Sequence, residues 1–141
     1  MGECFNTRVA VKVLRATSGA DSTSAVAALL REAMIGGALA SDINARHWTV
    51  RTLGVDTTSP PMLVLELCDG GSLDDRLQST SPIDAVIARR WMRDAARALA
   101  TLHAMRPRAL LHRDVKPANL LLMSDGRVKL GDFGLSAWYD E

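Results

Sequence analysis

Cysteine is scarce in this chain. Its 141 residues hold two, Cys4 and Cys68, at no metal-like spacing. That argues against a disulfide framework and fits a reducing, cytoplasmic setting. An excess of one charge is missing too: 17 Lys and Arg against 16 Asp and Glu leave a net charge of +1. No such field points to nucleic acid or an acidic membrane as partner. No run approaches the roughly 18 apolar residues of a membrane span, and no signal peptide is visible. Met1-Gly2 would open an N-myristoylation motif, but Asn6 stands where Ser or Thr is needed. Internal repeats and low-complexity segments are absent. What is present is a hydrophobic share of 48%, in a length that suits one domain with a sizeable core.

Taken in order, Arg8–Leu14 (R-V-A-V-K-V-L) reads as a strand with Val9, Val11 and Val13 on one face. Lys12 shares the other face with Ala10 and Leu14, and by itself would be a strand-edge lysine snorkelling to water. A polar loop over 15–24 leads to a helix expected at Ala25–Ile35, with Ser24 as its cap and Val26, Leu29, Leu30 and Ala33 at helical spacing. Gly36-Gly37 is expected to end or loosen it, at roughly 1 kcal/mol per glycine. His47–Val55 reads as the next strand, unusually polar at Thr52, and Met62–Leu67 as a buried one. Ser81-Pro82-Ile83-Asp84 is a helix start. Ile83, Ile87, Trp91, Ala95, Ala98 and Leu102 then form one apolar stripe running to about Met105.

The informative stretch is His112–Gly134, H-R-D-V-K-P-A-N-L-L-L-M-S-D-G-R-V-K-L-G-D-F-G. Leu120–Met123 and Val128–Leu130 are short apolar runs joined by Asp125-Gly126, a strong two-residue turn signal. Such a turn would set Asn119 directly opposite Asp132, with Cα atoms roughly 4.5–5.5 Å apart. An amide oxygen and a carboxylate converging there suit Mg²⁺, with Asp114 at the same end.

This stretch resembles the catalytic loop, hairpin and D-F-G of the eukaryotic protein kinases. The resemblance implies an α+β, bilobal kinase-like fold. Residues 1–65 would be part of a small β-rich lobe with one helix, 66–73 the hinge, and 74–141 the start of a mainly helical lobe. It implies ATP and Mg²⁺ as cofactors and a protein hydroxyl as acceptor. Asp114 would accept the hydroxyl's proton, and Asn119 and Asp132 would hold Mg²⁺. Lys116 is similar to the lysine serine/threonine kinases carry there. His112 and Phe133 would pack together, and Arg113 would wait for an activation-segment phosphate. V-A-V-K resembles the strand whose Lys12 grips the α- and β-phosphates, paired with Glu32 of L-L-R-E-A. The nucleotide pocket would comprise Ala10, Leu65 as gatekeeper, the main chain at Glu66–Cys68, and Leu121. The run R-P-R-A-L-L-H-R-D-V-K-P-A-N-L-L-L, with D-G-G-S-L, resembles the tyrosine-kinase-like group most.

Two departures qualify the resemblance. Gly36 stands where the family usually has a bulky apolar residue, and neither a Gly-rich loop before Lys12 nor an A-P-E element after Gly134 is found. The expectation is therefore a kinase fragment, inactive alone, rather than a decayed kinase, since Lys12, Glu32, Asp114, Asn119 and Asp132 are all present. Two other classes compete. A non-catalytic kinase-like interaction module would be distinguished by absent nucleotide turnover. A small-molecule phosphotransferase is disfavoured by the intact H-R-D-V-K-P and D-F-G.

Overall fold

A computed structural model describes residues 2–4, 7–14, 21–58 and 60–139. Four antiparallel strands, β1 (Gly2–Cys4), β2 (Thr7–Val13), β3 (Thr52–Asp56) and β4 (Met62–Glu66), form one sheet in the order β1-β2-β4-β3. β2 thus gains an outer neighbour that the sequence did not announce. The third strand is shorter than expected. His47 and Trp48 belong instead to a one-turn helix, α2 (Ala45–Trp48), in which Asp42 Oδ1 accepts from the backbone N–H groups of Asn44 and Ala45.

Helix α1 (Asp21–Ser41) overrides two expectations. It begins before Ser24, which is therefore inside the helix and no cap; residues 15–20 of the expected loop lie outside the described residues. It also runs through Gly36-Gly37 without a break. The reason is contact. A Cβ on Gly36 would stand 1.9 Å from Thr52 Oγ1, so the missing side chain lets α1 lie directly on β3. The span Thr23–Ser41 is long and apolar enough, by length and composition, to cross a membrane, contrary to the expectation of no such run. Here the helix packs on the sheet and carries a buried glutamate, Glu32.

After β4 come α3 (Leu73–Gln78) and α4 (Ala85–His103). Ser72 and Asp75 cap α3 reciprocally, each side chain holding the other's backbone N–H, a capping box without the usual glutamate. α4 starts later than Ser81-Pro82 implied. Asp84 is its N-cap, accepting from the N–H groups of Val86 and Ile87. Trp91, Ala95, Ala98 and Leu102 of its stripe are buried, whereas Ile87 stays exposed. Two small antiparallel pairs follow: β5 (Ala109–Leu111) with β8 (Ala137–Tyr139), and β6 (Leu120–Leu122) with β7 (Val128–Leu130). One apolar core links the lobes. Ile35, Leu39 and Ala45 share it with Trp91, Leu102, Leu130 and Phe133.

Candidate active site

The β6–β7 hairpin closes differently from the two-residue reading. Met123 N–H donates to Arg127 O, and Gly126 N–H to Met123 O, so the loop holds three residues, Ser124 to Gly126. Gly126 takes φ +78°, while Asp125 stays out of the left-handed region. This is the three-residue hairpin that ends in a left-handed glycine. Leu120 therefore opposes Leu130, and Asn119 opposes Gly131, whose N–H donates to Asn119 O at 2.9 Å. Asp132 lies one residue beyond the expected pair. Its own φ of +60° ends the strand path there, a conformation that Asp tolerates better than most residues.

Lys12, Glu32 and Asp132 meet although they are far apart in sequence. Lys12 Nζ donates to both carboxylate oxygens of Glu32 and to Asp132 Oδ1, each at 2.9 Å. Ala10 opposes Leu65 and Lys12 opposes Leu63 across β2 and β4. These four side chains thus share the sheet face that looks onto α1 and the hairpin end. Burial disfavours the Lys12 ammonium, but Glu32 and Asp132 outweigh it and its pKa is raised. Asp132 is the mirror case: burial pushes its carboxyl up, Lys12 overcomes this, and the net shift is downward. Both groups are charged at neutral pH.

Below them, the His112 and Phe133 rings meet edge to face, 5.2 Å between centroids. Nε2 of His112 lies 2.9 Å from Gly131 O, and Asp114 N–H donates to Nδ1 at 3.3 Å. Together these fix a neutral imidazole protonated on Nε2. Burial, opposed by the Gly131 contact, lowers its pKa in agreement. Arg113, between two anchored residues, is held at φ +66°, a strain of about 1–3 kcal/mol that the surroundings must offset. Its Nε donates to Leu135 O at 2.6 Å.

Asp114 accepts from Lys116 Nζ at 2.7 Å and from Asn119 Nδ2 at 3.0 Å. The Lys116 contact, with Asn119 assisting against a small burial effect, holds its carboxyl below the usual range, and Lys116 is raised in turn. Because Asn119 spends its NH₂ on Asp114, its side-chain oxygen is the end left over. No hydrogen bond among the described residues uses Asn119 Oδ1 or Asp132 Oδ2. Two hard oxygen donors without partners at one hairpin end fit Mg²⁺, which takes one or two protein oxygens and completes its shell with water and phosphate. Among the described residues no three His, Cys, Asp or Glu cluster into an all-protein metal cage.

A profile of the protein kinase domain matches residues 3–141. The chain belongs to the protein kinase family. Among curated relatives it is 44% identical over 80 residues to "Mitogen-activated protein kinase kinase kinase 7" of Homo sapiens, covering 54% of this chain and 13% of that protein. The Drosophila melanogaster protein of the same name is 47% identical over 78 residues, covering 53% and 12%. "3-phosphoinositide-dependent protein kinase 1" of Arabidopsis thaliana is 42% identical over 77 residues, covering 55% and 15%. These place the chain with the serine/threonine protein kinases. It spans roughly a seventh of the length of the relatives it matches.

Around the expected hinge, the nucleotide-pocket residues divide. Leu65 is half-buried beside Ala10, while Leu121 is half-buried on β6 and bridged to Ser72. The Glu66 N–H already donates to Arg51 O, so only the Glu66 carbonyl could meet an adenine edge. No backbone hydrogen bond among the described residues engages Cys68. Burial and the Glu66 carboxylate push the Cys68 thiol up to about 11.

Sequence reasoning missed Lys129, a buried lysine whose Nζ meets both Glu66 oxygens at 2.8 and 2.9 Å and Arg46 O at 3.1 Å. The available signal was its pattern: V-K-L on β7 repeats the apolar-flanked lysine of V-K-V on β2. It also missed Asp94, buried on α4 with Val128 N–H at 3.4 Å.

Proposed function

We propose that this chain carries the nucleotide and transfer centre of an ATP- and Mg²⁺-dependent protein serine/threonine kinase. The observation that carries this reading is Lys12 held between Glu32 and Asp132. Its three N–H donors all go to carboxylates, so gripping a phosphate means exchanging one of them. The Asp132 side chain is 46% exposed and the Glu32 side chain 8%. The Asp132 contact is therefore the one to yield, with Glu32 keeping the ammonium in place. Asn119 and Asp132 would hold Mg²⁺, which when bound offsets charge on the phosphate oxygens. The adenine edge would meet the unpaired Cys68 main chain, between Ala10, Leu65 and Leu121.

Asp114, ionised and with its side chain 25% exposed, accepts the proton of the Ser or Thr hydroxyl and orients it. Lys116 sits beside that carboxylate and compensates negative charge on the transferred group. Asn119 aims Asp114 through its NH₂. Most of the catalysis is positioning, since little covalent chemistry falls to the protein. For that reason the 141 residues alone, which hold no platform for a peptide among the described residues, would transfer no phosphate. A cytoplasmic setting, with Cys68 a free and weakly acidic thiol, belongs to the same reading.

The test is transfer from radiolabelled ATP to a generic protein substrate, by the 141-residue chain and by a version extended to a whole kinase domain. The extended version should label Ser and Thr, and the short chain should label nothing. Label found only on Tyr, or equal transfer by the short chain, would overturn the reading.

A further inference from the structure

Successive side chains on a strand turn to opposite faces, so Glu66 points away from the face shared by Ala10, Lys12 and Leu65. There it meets a second cleft of about 350 Å³, built by Arg46 and His47 of α2, Arg51, Glu66, Arg127 and Lys129. The kinase reading uses none of this space. Four cationic side chains converge on it against two carboxylates, Glu66 and the neighbouring Asp125. In a chain whose whole net charge is +1, that is a local concentration of positive charge.

The carboxylates do not exhaust the donors. Both Glu66 oxygens are taken by Lys129, and Arg51 adds only Nε, at 3.3 Å. Arg127 spends Nε on Asp125 Oδ2 at 2.6 Å and Nη1 on the His47 ring at 3.2 Å from Nε2. Both terminal nitrogens of Arg51, Nη2 of Arg127 and the whole Arg46 guanidinium make no hydrogen bond or ion pair among the described residues. Guanidinium donors of Arg46, Arg51 and Arg127 are thus left over around one cleft, and they match a tetrahedral oxyanion, which a guanidinium binds bidentately where two of its nitrogens are free.

We propose that this cleft binds a phosphomonoester dianion. The same chemistry is offered by a free phosphorylated small molecule and by a phosphorylated side chain. Arg46 follows α1, Arg51 leads into β3, and Arg127 lies on the hairpin that carries Asp132. An anion here therefore ties the small lobe to that hairpin from behind the hinge.

The test is titration of inorganic phosphate, and separately of a Gly-phosphoserine-Gly peptide, into the full 141-residue chain, followed through the arginine Nε–Hε NMR signals. Saturable shifts at Arg46, Arg51 and Arg127 are expected, and Arg46→Ala with Arg127→Ala should weaken binding about tenfold or more, the loss of one or two charge-assisted contacts. Arg89→Ala, on α4 outside the cleft, should change nothing. Equal affinity for both probes would assign the site to free phosphate, and tighter peptide binding to a phosphorylated side chain. Shifts confined to Arg113 and its neighbours would overturn the proposal. So would wild-type affinity in the double variant, or in the exposed single variant Arg46→Gln if the double variant does not fold.

Discussion

Two lysines, each set between apolar residues on a strand, end in opposite circumstances. Lys12 on β2 has a side chain 44% exposed and faces one buried and one open carboxylate. Lys129 on β7 has a side chain 6% exposed and is locked onto Glu66 and the Arg46 carbonyl. The first would exchange a contact for a ligand under the proposed function; the second has nothing to exchange and fastens β4 to the hairpin. A lysine's function here follows from how open its partners are, not from its flanking residues.

The comparison can be broken by experiment, beginning where the largest effect is expected. In a version extended to a whole kinase domain, Asp114→Asn should lower turnover about 10²–10⁴-fold, the usual general-base contribution, with nucleotide affinity nearly unchanged. Asp132→Asn should weaken Mg²⁺-dependent nucleotide binding as well. Steady-state kinetics and MgATP titration distinguish the two, and near-wild-type turnover in both would remove the site.

Next is Glu66→Leu, which leaves Lys129 buried without a counter-charge. Removing one partner of a buried pair costs about 3–5 kcal/mol, readable as a lower urea midpoint. The wild-type pair should also be acid-sensitive. Burial raises the Glu66 pKa, but Lys129 and Arg51 overcome that and leave it below its usual 4.5. The stability it contributes is thus complete above pH 4.5 and lost as pH falls through the folded-state value. Glu66→Gln should flatten that part of the stability–pH curve, and an unchanged curve would contradict the pairing.

A smaller effect is expected at Gly36. Alanine there gains about 1 kcal/mol of helix propensity, yet its Cβ meets Thr52 at 1.9 Å. The overpacking cost, about 1–3 kcal/mol, should win, and thermal unfolding should show a net loss. A stabilised Gly36→Ala variant would mean that α1 does not lie on β3 this closely.

What was legible follows the same division. Asp114, Lys116, Asn119 and Asp132 lie within one short stretch, so their convergence could be read from sequence. Its register could not, because Asp125-Gly126 signals a two-residue turn and Ser124 joins the loop in fact. Gly36 and Thr52 each looked like a defect when read along the chain. Together they are one contact, visible only when α1 meets β3. Lys129, Glu66 and Arg51 come from three segments, and no local pattern announces their meeting. β1 and β8 were missed because neither is joined to its partner by a turn signal such as Asp125-Gly126, which marked the equally short β6 and β7.

The two lysines themselves make the decisive pair of variants. Lys12→Met removes a half-exposed ammonium and leaves the buried Glu32 carboxylate unpaired, whereas Lys129→Met removes a buried ammonium from Glu66. The most direct measurement is MgATP titration by NMR, paired with thermal unfolding, of the wild-type chain and these two variants. The account predicts that Lys12→Met loses the MgATP-dependent shifts, with a fall in Tm of its own because Glu32 is left buried and unpaired. Lys129→Met should keep those shifts while its Tm falls by an amount on the order of 10 °C. The reverse pattern, MgATP response lost with Lys129 and kept without Lys12, would contradict it.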